Sequence, residues 1–287
     1  MLIRHLAIIG VGLIGGSLAR ALKRARACRR IIGYGLHESE LMKARALGAI
    51  DDFSIDLGQA VKGADMVVIA VPLGAMEKVL SQLRWCLDKA TVVTDVGSVK
   101  GSVVEQARRL LGPHLSRFVP GHPIAGTEKS GVEASFAELF DRRRAILTPL
   151  EETEISAIQN VRDMWEAAGS EVEIMDVARH DEVVAATSHL PHILAYTLVE
   201  TLAEMERAGA VFRYAAGGFA DCTRIASSNP EMWRDITFAN REALLTALER
   251  FRQELSALTE SIRSQDTRQV LETFRRAKGA RDAFTWK

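Results

Sequence analysis

The stretch His5–Gly35, HLAIIGVGLIGGSLARALKRARACRRIIGYG, decides the fold. A short apolar run ends at Gly10, a segment with apolar residues at helical spacing follows, and a second apolar run, RIIGYG, closes the unit. That order reads as strand, helix, strand. At the first junction Gly10, Gly12 and Gly15 stand in GxGxxG spacing. Placed there, Gly10 permits a tight turn, Gly12 lets a pyrophosphate come up to the backbone, and Gly15 lets the helix lie close on the sheet. The anion would rest at the helix N-terminus, beside Leu13 and Ile14.

The alternation continues downstream. ESELMKARALGA is a second helix, and the continuous apolar strands DMVVIAVP and TVVTDVGS are separated by the helical GAMEKVLSQLRWCL. Strands that are apolar without alternation, interleaved with helices, predict a parallel sheet covered on both faces, doubly wound by right-handed crossovers. RRAILTP and SEVEIMD are expected as further strands of the same sheet. After Met175 the strand signal stops, and three stretches (179–209, 231–264 and 266–284) carry apolar residues at three and four spacing. The fold class expected is therefore α/β, with a Rossmann-type dinucleotide-binding domain over residues 1–175 and an all-helical domain over 176–287. The apolar stripes of the helical half suit either an internal core or a subunit interface. No Pro/Gly/Ser linker marks the boundary, so a continuous helix is expected there.

Composition narrows the function. Lys plus Arg equals Asp plus Glu at 37 each, which leaves no global field to attract nucleic acid or an acidic membrane. Cys28, Cys86 and Cys222 are scattered without a CxxC pair, against a disulfide framework or structural zinc, so a reducing cytoplasm is expected. The N-terminal apolar run lacks a signal-peptide cleavage site, and no run reaches the ~18 apolar residues of a membrane span.

Several loops are placed for chemistry. An acidic residue that would bind a ribose 2′-hydroxyl is expected at the end of the second strand, but Gly35 stands there, followed by His37 and Glu38. Both NAD and NADP are then admissible. Val71 and Pro72 end one strand, and Gly97 and Ser98 end the next, at the carboxyl edge where an open α/β sheet takes its ligands. Ser98 reads both as a helix cap and as a residue facing the dinucleotide crevice. In VPGHPIAGTEKSG, Val119–Gly131, His122 is set among glycines and prolines; an imidazole titrates in the range a proton acceptor for hydride chemistry needs. His5, His37 and His114 have no such setting and read as exposed or incidental.

HDEVVAATSHLPH, His180–His192, offers Ser188, His189 and His192 to the nicotinamide side. The His-x-x-His spacing lacks a third ligand, so no metal is expected. In GGFADCTRIASSNPEMW, Gly217–Trp233, Arg224 would grip a carboxylate bidentately or pair with Asp221 on the preceding turn, and Trp233 fits core as well as pocket.

Taken together, GVGLIGGS, DVGSVK, GHPIAGTEKSG, SHLPH and GGFADCTRIASSNPEMW, in this order over nearly the whole chain, resemble the prephenate dehydrogenase family, whose members oxidise prephenate, arogenate or both. The resemblance implies a homodimer built by the helical domain, with the active site between the two domains. It implies that His122 hydrogen-bonds the ring C4 hydroxyl and assists its deprotonation with Ser98 alongside, and that Arg224 holds a substrate carboxylate. It further implies that Thr127, Glu128, Ser188, His189, His192, Gly217, Asp221 and Trp233 line the pocket or organise the dinucleotide. The chain ends at RDAFTWK, where no regulatory domain or fused chorismate mutase is expected, so tyrosine feedback would act at the active site.

Two other readings keep the architecture. A β-hydroxyacid dehydrogenase or imine-type reductase would rely on a lysine in the interdomain helix, and residues 176–207 contain none. A dinucleotide sensor without catalysis has no use for His122, Ser98 and Arg224 together.

Overall fold

Strand β1 (Ile3–Ile9) is buried on both faces, with Leu6, Ala7, Ile8 and Ile9 all inaccessible, as only a central strand can be. The structure, a computed structural model, describes residues 2–205 and 212–283. From β1 the chain runs through α1 (Leu13–Arg24), β2 (Cys28–Tyr34), α2 (Glu38–Ala46), β3 (Asp52–Ser54), α3 (Leu57–Val61) and β4 (Met66–Ile69). It continues as α4 (Leu73–Leu83), β5 (Val92–Asp95), α5 (Gly101–Leu110) and β6 (Phe118–Val119). The six strands are parallel in the order β3-β2-β1-β4-β5-β6. Strand order reverses between β1 and β4, and ligands bind at such a switch point.

One apolar layer places α1 (Leu18, Leu22) with Phe140 and Trp165 against one face of the sheet; the other places α4 (Met76, Leu80) and α5 (Val103, Ala107) against the opposite face. At ~25 cal/mol per Å² of apolar area, such two-sided burial is the main favourable term in the domain.

The expectation for RRAILTP and SEVEIMD is corrected. They form β8 (Arg144–Leu147) and β9 (Glu171–Ile174), which join β7 (Gly121–Pro123) in a separate three-stranded sheet. β7 pairs with β8 antiparallel and β8 with β9 parallel, with α6 (Ile155–Ala167) between the latter two. The cause lies at Pro120, which has no N–H to continue a ladder. Its carbonyl instead accepts from Thr148 N at 2.9 Å, which turns the chain onto β8.

β9 passes into α7 (Val177–Val184) through Met175 and Asp176, whose carboxylate caps α7 by accepting from Ala178 N and Arg179 N. A helix starts at this point; the expected continuous helix across it is not found. α7 runs on through a wide π-helical turn, Ala185–His189, into α8 (Leu190–Ala203). Pro191 explains the turn: its ring and missing N–H conflict with a regular helix, and Leu190 N bonds Ala185 O, five residues back. The end of the 179–209 stretch lies outside the described residues. Further on, α9 (Gly217–Thr223) and α10 (Pro230–Ala239) follow.

The 231–264 stretch is broken at Asn240, which separates α10 from α11 (Arg241–Arg263). Residues up to Asn240 form one compact unit and those from Arg241 another. The second contains α11 and α12 (Thr267–Asp282), the latter capped by Asp266. Leu255, Ile262, Leu271 and Phe274 leave its apolar face exposed. Among the described residues no helix is long and apolar enough to cross a membrane.

Candidate active site

The glycine turn has the geometry its spacing calls for. Gly10 has φ +96°, and a Cβ there would lie 2.4 Å from Ala70 O. A Cβ on Gly15 would lie 2.1 Å from Gly10 O and 2.9 Å from Ile8 Cγ2, so only glycine lets α1 settle on β1. At Gly12, the N-cap, a Cβ would meet nothing within 4 Å, and no side chain caps the helix. The first turn, opening with Leu13 and Ile14, carries no acidic residue. These bare N–H groups beside open space at the switch point fit a dinucleotide pyrophosphate.

Around this turn stand the other strand ends. Gly35 follows β2 with Leu41 packed against it, and His37 is the exposed N-cap of α2. Val71 follows β4, and Pro72 is the N-cap of α4. Gly97 follows β5 and donates its N–H to Asp95 Oδ2 at 2.8 Å. Ser98 is half-buried on the same loop, but the helix-cap reading is corrected: α5 starts after Lys100, and its cap comes from far along the chain. Asp181 accepts from Lys100 N (2.8 Å) and Gly101 N (2.7 Å) across 81 and 80 residues.

His122 sits in β7 on a clamped backbone. The neighbouring Gly121 donates its N–H to Asp95 Oδ1 at 3.2 Å and accepts Lys100 Nζ on its carbonyl at 2.6 Å. Lys100 and Asp95 are themselves ion-paired with both side chains fully buried. Burial pulls the Lys100 ammonium below its ordinary range, and Asp95 opposes that pull. The rigidity of the His122 segment therefore comes from a buried ion pair gripping the residue before it.

The His122 ring itself is hydrogen-bonded through Nδ1 to His180 Nε2 at 2.9 Å, and His180 Nδ1 to Asp181 Oδ1 at 2.7 Å. Ser98 does not occupy this place. Burial, then His180, Lys100 and His189, hold His122 well below the usual imidazole range, so it is neutral at physiological pH. Burial works to raise Asp181, but hydrogen bonds from His180, Lys100 N and Gly101 N outweigh it and keep the carboxyl below its ordinary value.

The wide helical turn delivers the next histidines. His189 is buried and pushed down to about 4, mainly by burial; its Nδ1 accepts from Asn240 Nδ2 at 3.1 Å. The same amide donates to Asp181 O at 2.9 Å, which accounts for the break before α11. His192 donates Nδ1 to Ser188 O at 2.8 Å and stacks on Trp233 at 3.6 Å between ring centroids, while His189 meets Trp233 edge-on at 5.9 Å. Burial first, then Arg224, lowers His192 against the opposing Ser188 carbonyl, which places the guanidinium within electrostatic reach of this cluster. Trp233 is buried with Val99, just past Ser98, and Leu73 packs against the pair, joining the two groups of residues.

Arg224 pairs with Glu128 at 3.3 Å, both side chains being solvent-accessible; this replaces the Asp221 pairing that spacing allowed. Thr127 is exposed, accepting from Lys129 N at 3.3 Å, and Gly217 and Asp221 are exposed on α9. His114, read as exposed or incidental, is buried. Among the described residues no group of His, Cys, Asp and Glu could hold a metal.

The residues that sequence reasoning missed are Asp95, Lys100, His180, Asp181 and Asn240. A signal existed for two of them: Asp95 closes a strand otherwise without charge, and Lys100 follows Val99 at the head of an amphipathic helix. His180, Asp181 and Asn240 look like ordinary helix residues until the chain folds.

A glycine turn at the switch point of a parallel sheet, with a neutral, backbone-clamped imidazole nearby, defines a dinucleotide-dependent dehydrogenase. A family model described as prephenate dehydrogenase, nucleotide-binding domain, matches residues 18–174, and one described as prephenate dehydrogenase, dimerization domain, matches residues 176–276. The chain is 41% identical over 283 residues to cyclohexadienyl dehydrogenase of Zymomonas mobilis, covering 98% of this chain and 96% of that one. Among solved structures, prephenate dehydrogenase from Aquifex aeolicus in complex with hydroxyphenyl propionate and NAD+ superposes with TM-score 0.91 at 38% identity, covering 97% of each chain. Synechocystis arogenate dehydrogenase gives TM-score 0.83 at 30% identity, covering 98% of this chain and 100% of that one. The chain belongs to the prephenate dehydrogenase family.

Proposed function

We propose that this chain catalyses oxidative decarboxylation of prephenate, arogenate or both, in tyrosine biosynthesis, with NAD as the hydride acceptor. The observation that carries the reading is the neutral His122 on its clamped strand, in a chain whose relatives are named for this chemistry. Gly10–Gly15 would hold the pyrophosphate, with Val71, Pro72, Gly97 and Ser98 on the neighbouring strand ends. Glu38 and Glu40 open α2 after Gly35 and His37, and their charge disfavours a 2′-phosphate, which supports NAD over NADP.

A bound nicotinamide supplies the acceptor for the hydride leaving ring C4. His122 takes the C4 hydroxyl proton as that C–H bond breaks, giving a ring carbonyl. The ring carboxylate leaves as CO2, its electron pair flows into the ring and onto that oxygen, and the oxygen takes the proton back as the ring becomes aromatic. Aromatisation supplies the driving force, so the protein's task is positioning and proton holding. Arg224 would leave Glu128 for a substrate carboxylate, and His189, His192 and Trp233 would form the wall of the pocket. The two-domain division at residues 175/176 and a homodimer through the helical half belong to this reading, supported by the exposed apolar face of α11 and α12.

The test is to follow NADH absorbance with each substrate and each nicotinamide. Turnover with prephenate or arogenate, and kcat/KM at least about tenfold higher with NAD than NADP, is expected. No turnover with either substrate would end the proposal.

A further inference from the structure

A neutral imidazole has one bare nitrogen, and the hydrogen bond at the other decides which. At His122 that decision is made two side chains away. Asp181 is held as a carboxylate by Lys100 N and Gly101 N, so its Oδ1 can only accept. His180 Nδ1, at 2.7 Å, must then donate to it. A neutral His180 then keeps Nε2 as a lone pair, and His122 Nδ1, at 2.9 Å, donates in turn. With its hydrogen on Nδ1, His122 keeps Nε2 bare.

We infer that His180 and Asp181 are positioning residues that fix the tautomer of His122, making Nε2 the nitrogen that accepts the substrate's hydroxyl proton. The inference rests on the reading of His122 as proton acceptor given above. Packing alone does not require this arrangement. His180 is fully buried, and an apolar ring would fill its place without two polar nitrogens to satisfy. Instead both nitrogens are bonded in one direction, and the far end is anchored three times: twice on the first residues around the α5 N-terminus and once where Asn240 donates to the Asp181 carbonyl at 2.9 Å. The other charged or titratable groups facing this site point elsewhere. Lys100 is engaged by Asp95 and Gly121 O, and His189 Nδ1 accepts from Asn240, so neither competes for His122 Nδ1.

The test combines a spectroscopic signature with a rescue. In the full-length protein labelled with 15N-histidine, long-range 1H–15N spectra assigned by the signals lost in His122→Asn should show His122 protonated at Nδ1 and bare at Nε2. His180→Phe removes the acceptor while keeping an aromatic ring; kcat should fall on the order of 10²-fold, within the range general-base catalysis commands, with KM for substrate and NAD within about threefold. His180→Gln, whose amide can donate to Asp181 and accept from His122, should recover most of that loss. Hydrogen on Nε2 in the unsubstituted protein, or wild-type kcat in His180→Phe, overturns the relay; the spectrum decides even if a variant fails to fold. Retained turnover in His122→Asn would instead overturn the reading of His122 as base, independently of the spectrum.

Discussion

At the Gly10–Gly15 turn every feature that matters is backbone: a left-handed φ, a helix start with no capping side chain, and the absence of Cβ atoms where strands and helix touch. At His122 the work is done by side chains gripping one another and the backbone: a buried ion pair, two imidazoles in series, a carboxylate and an amide drawn from five places in the chain. The first works by leaving room and bare donors, the second by filling space and bonding every nitrogen and oxygen around the one imidazole nitrogen left bare. Binding a fixed anion tolerates the simpler device. Moving a proton demands the second, because protonation state depends on each neighbour.

Substitutions should separate the two. His122→Asn strikes the second alone: turnover should drop on the order of 10²–10⁴-fold while NAD affinity by fluorescence titration stays within about twofold. Equal loss of both would show that the two devices are not separable. Lys100→Met leaves the Asp95 carboxylate buried and unpaired, which should cost about 3–5 kcal/mol of unfolding free energy in urea. Adding Asp95→Leu should return much of that, and full stability in Lys100→Met would remove the clamp from the account. Gly10→Ala strikes the first device. A left-handed φ and a backbone clash together should cost about 1–3 kcal/mol and weaken NAD binding, while kcat at saturating NAD changes little.

Arg224→Gln should raise KM for the substrate about 10- to 100-fold and leave stability within ~1 kcal/mol, because its ion pair with Glu128 is accessible to water. A stability loss beyond that would make Arg224 structural. The smallest effect is that of pH. His122 and His189 both have folded values below the ordinary imidazole value of 6.5, His189 at about 4, so the unfolded chain binds more protons in the interval between. Stability contributed by keeping them neutral is complete above about 6.5 and declines as pH falls toward 4. kcat/KM, which needs neutral His122, should stay level as pH passes down through 6.5 and fall only below it. A drop centred at 6.5 would show an imidazole unperturbed by its surroundings.

The same contrast explains what the sequence discloses. Gly10, Gly12 and Gly15 act within one turn, so spacing alone states their role, and strands apolar on both faces announce a buried parallel sheet. Three-residue strands such as β3 and β7 are too short to carry a period, β8 matches any buried strand and β9 is a largely exposed EVEI edge; the sheet they join is chosen by Pro120 and Thr148. The histidine site is assembled across 58 residues between His122 and His180 and 51 between His189 and Asn240, so no local pattern records it. His122 was legible because glycines and prolines surround it; its partners lie in unremarkable helices.

The wide turn at Ala185–His189 has a geometric consequence for every histidine on that helix. At about 100° per residue, a straight helix would send His180 and His189 to opposite sides of its axis, yet both are buried. Absorbing one extra residue in a single broad coil removes roughly 100° of that divergence. Tightening the coil into regular helix with all its residues kept would restore the full divergence and swing one imidazole toward water, so the helix's irregularity is the phase correction that keeps two distant histidines in a common interior.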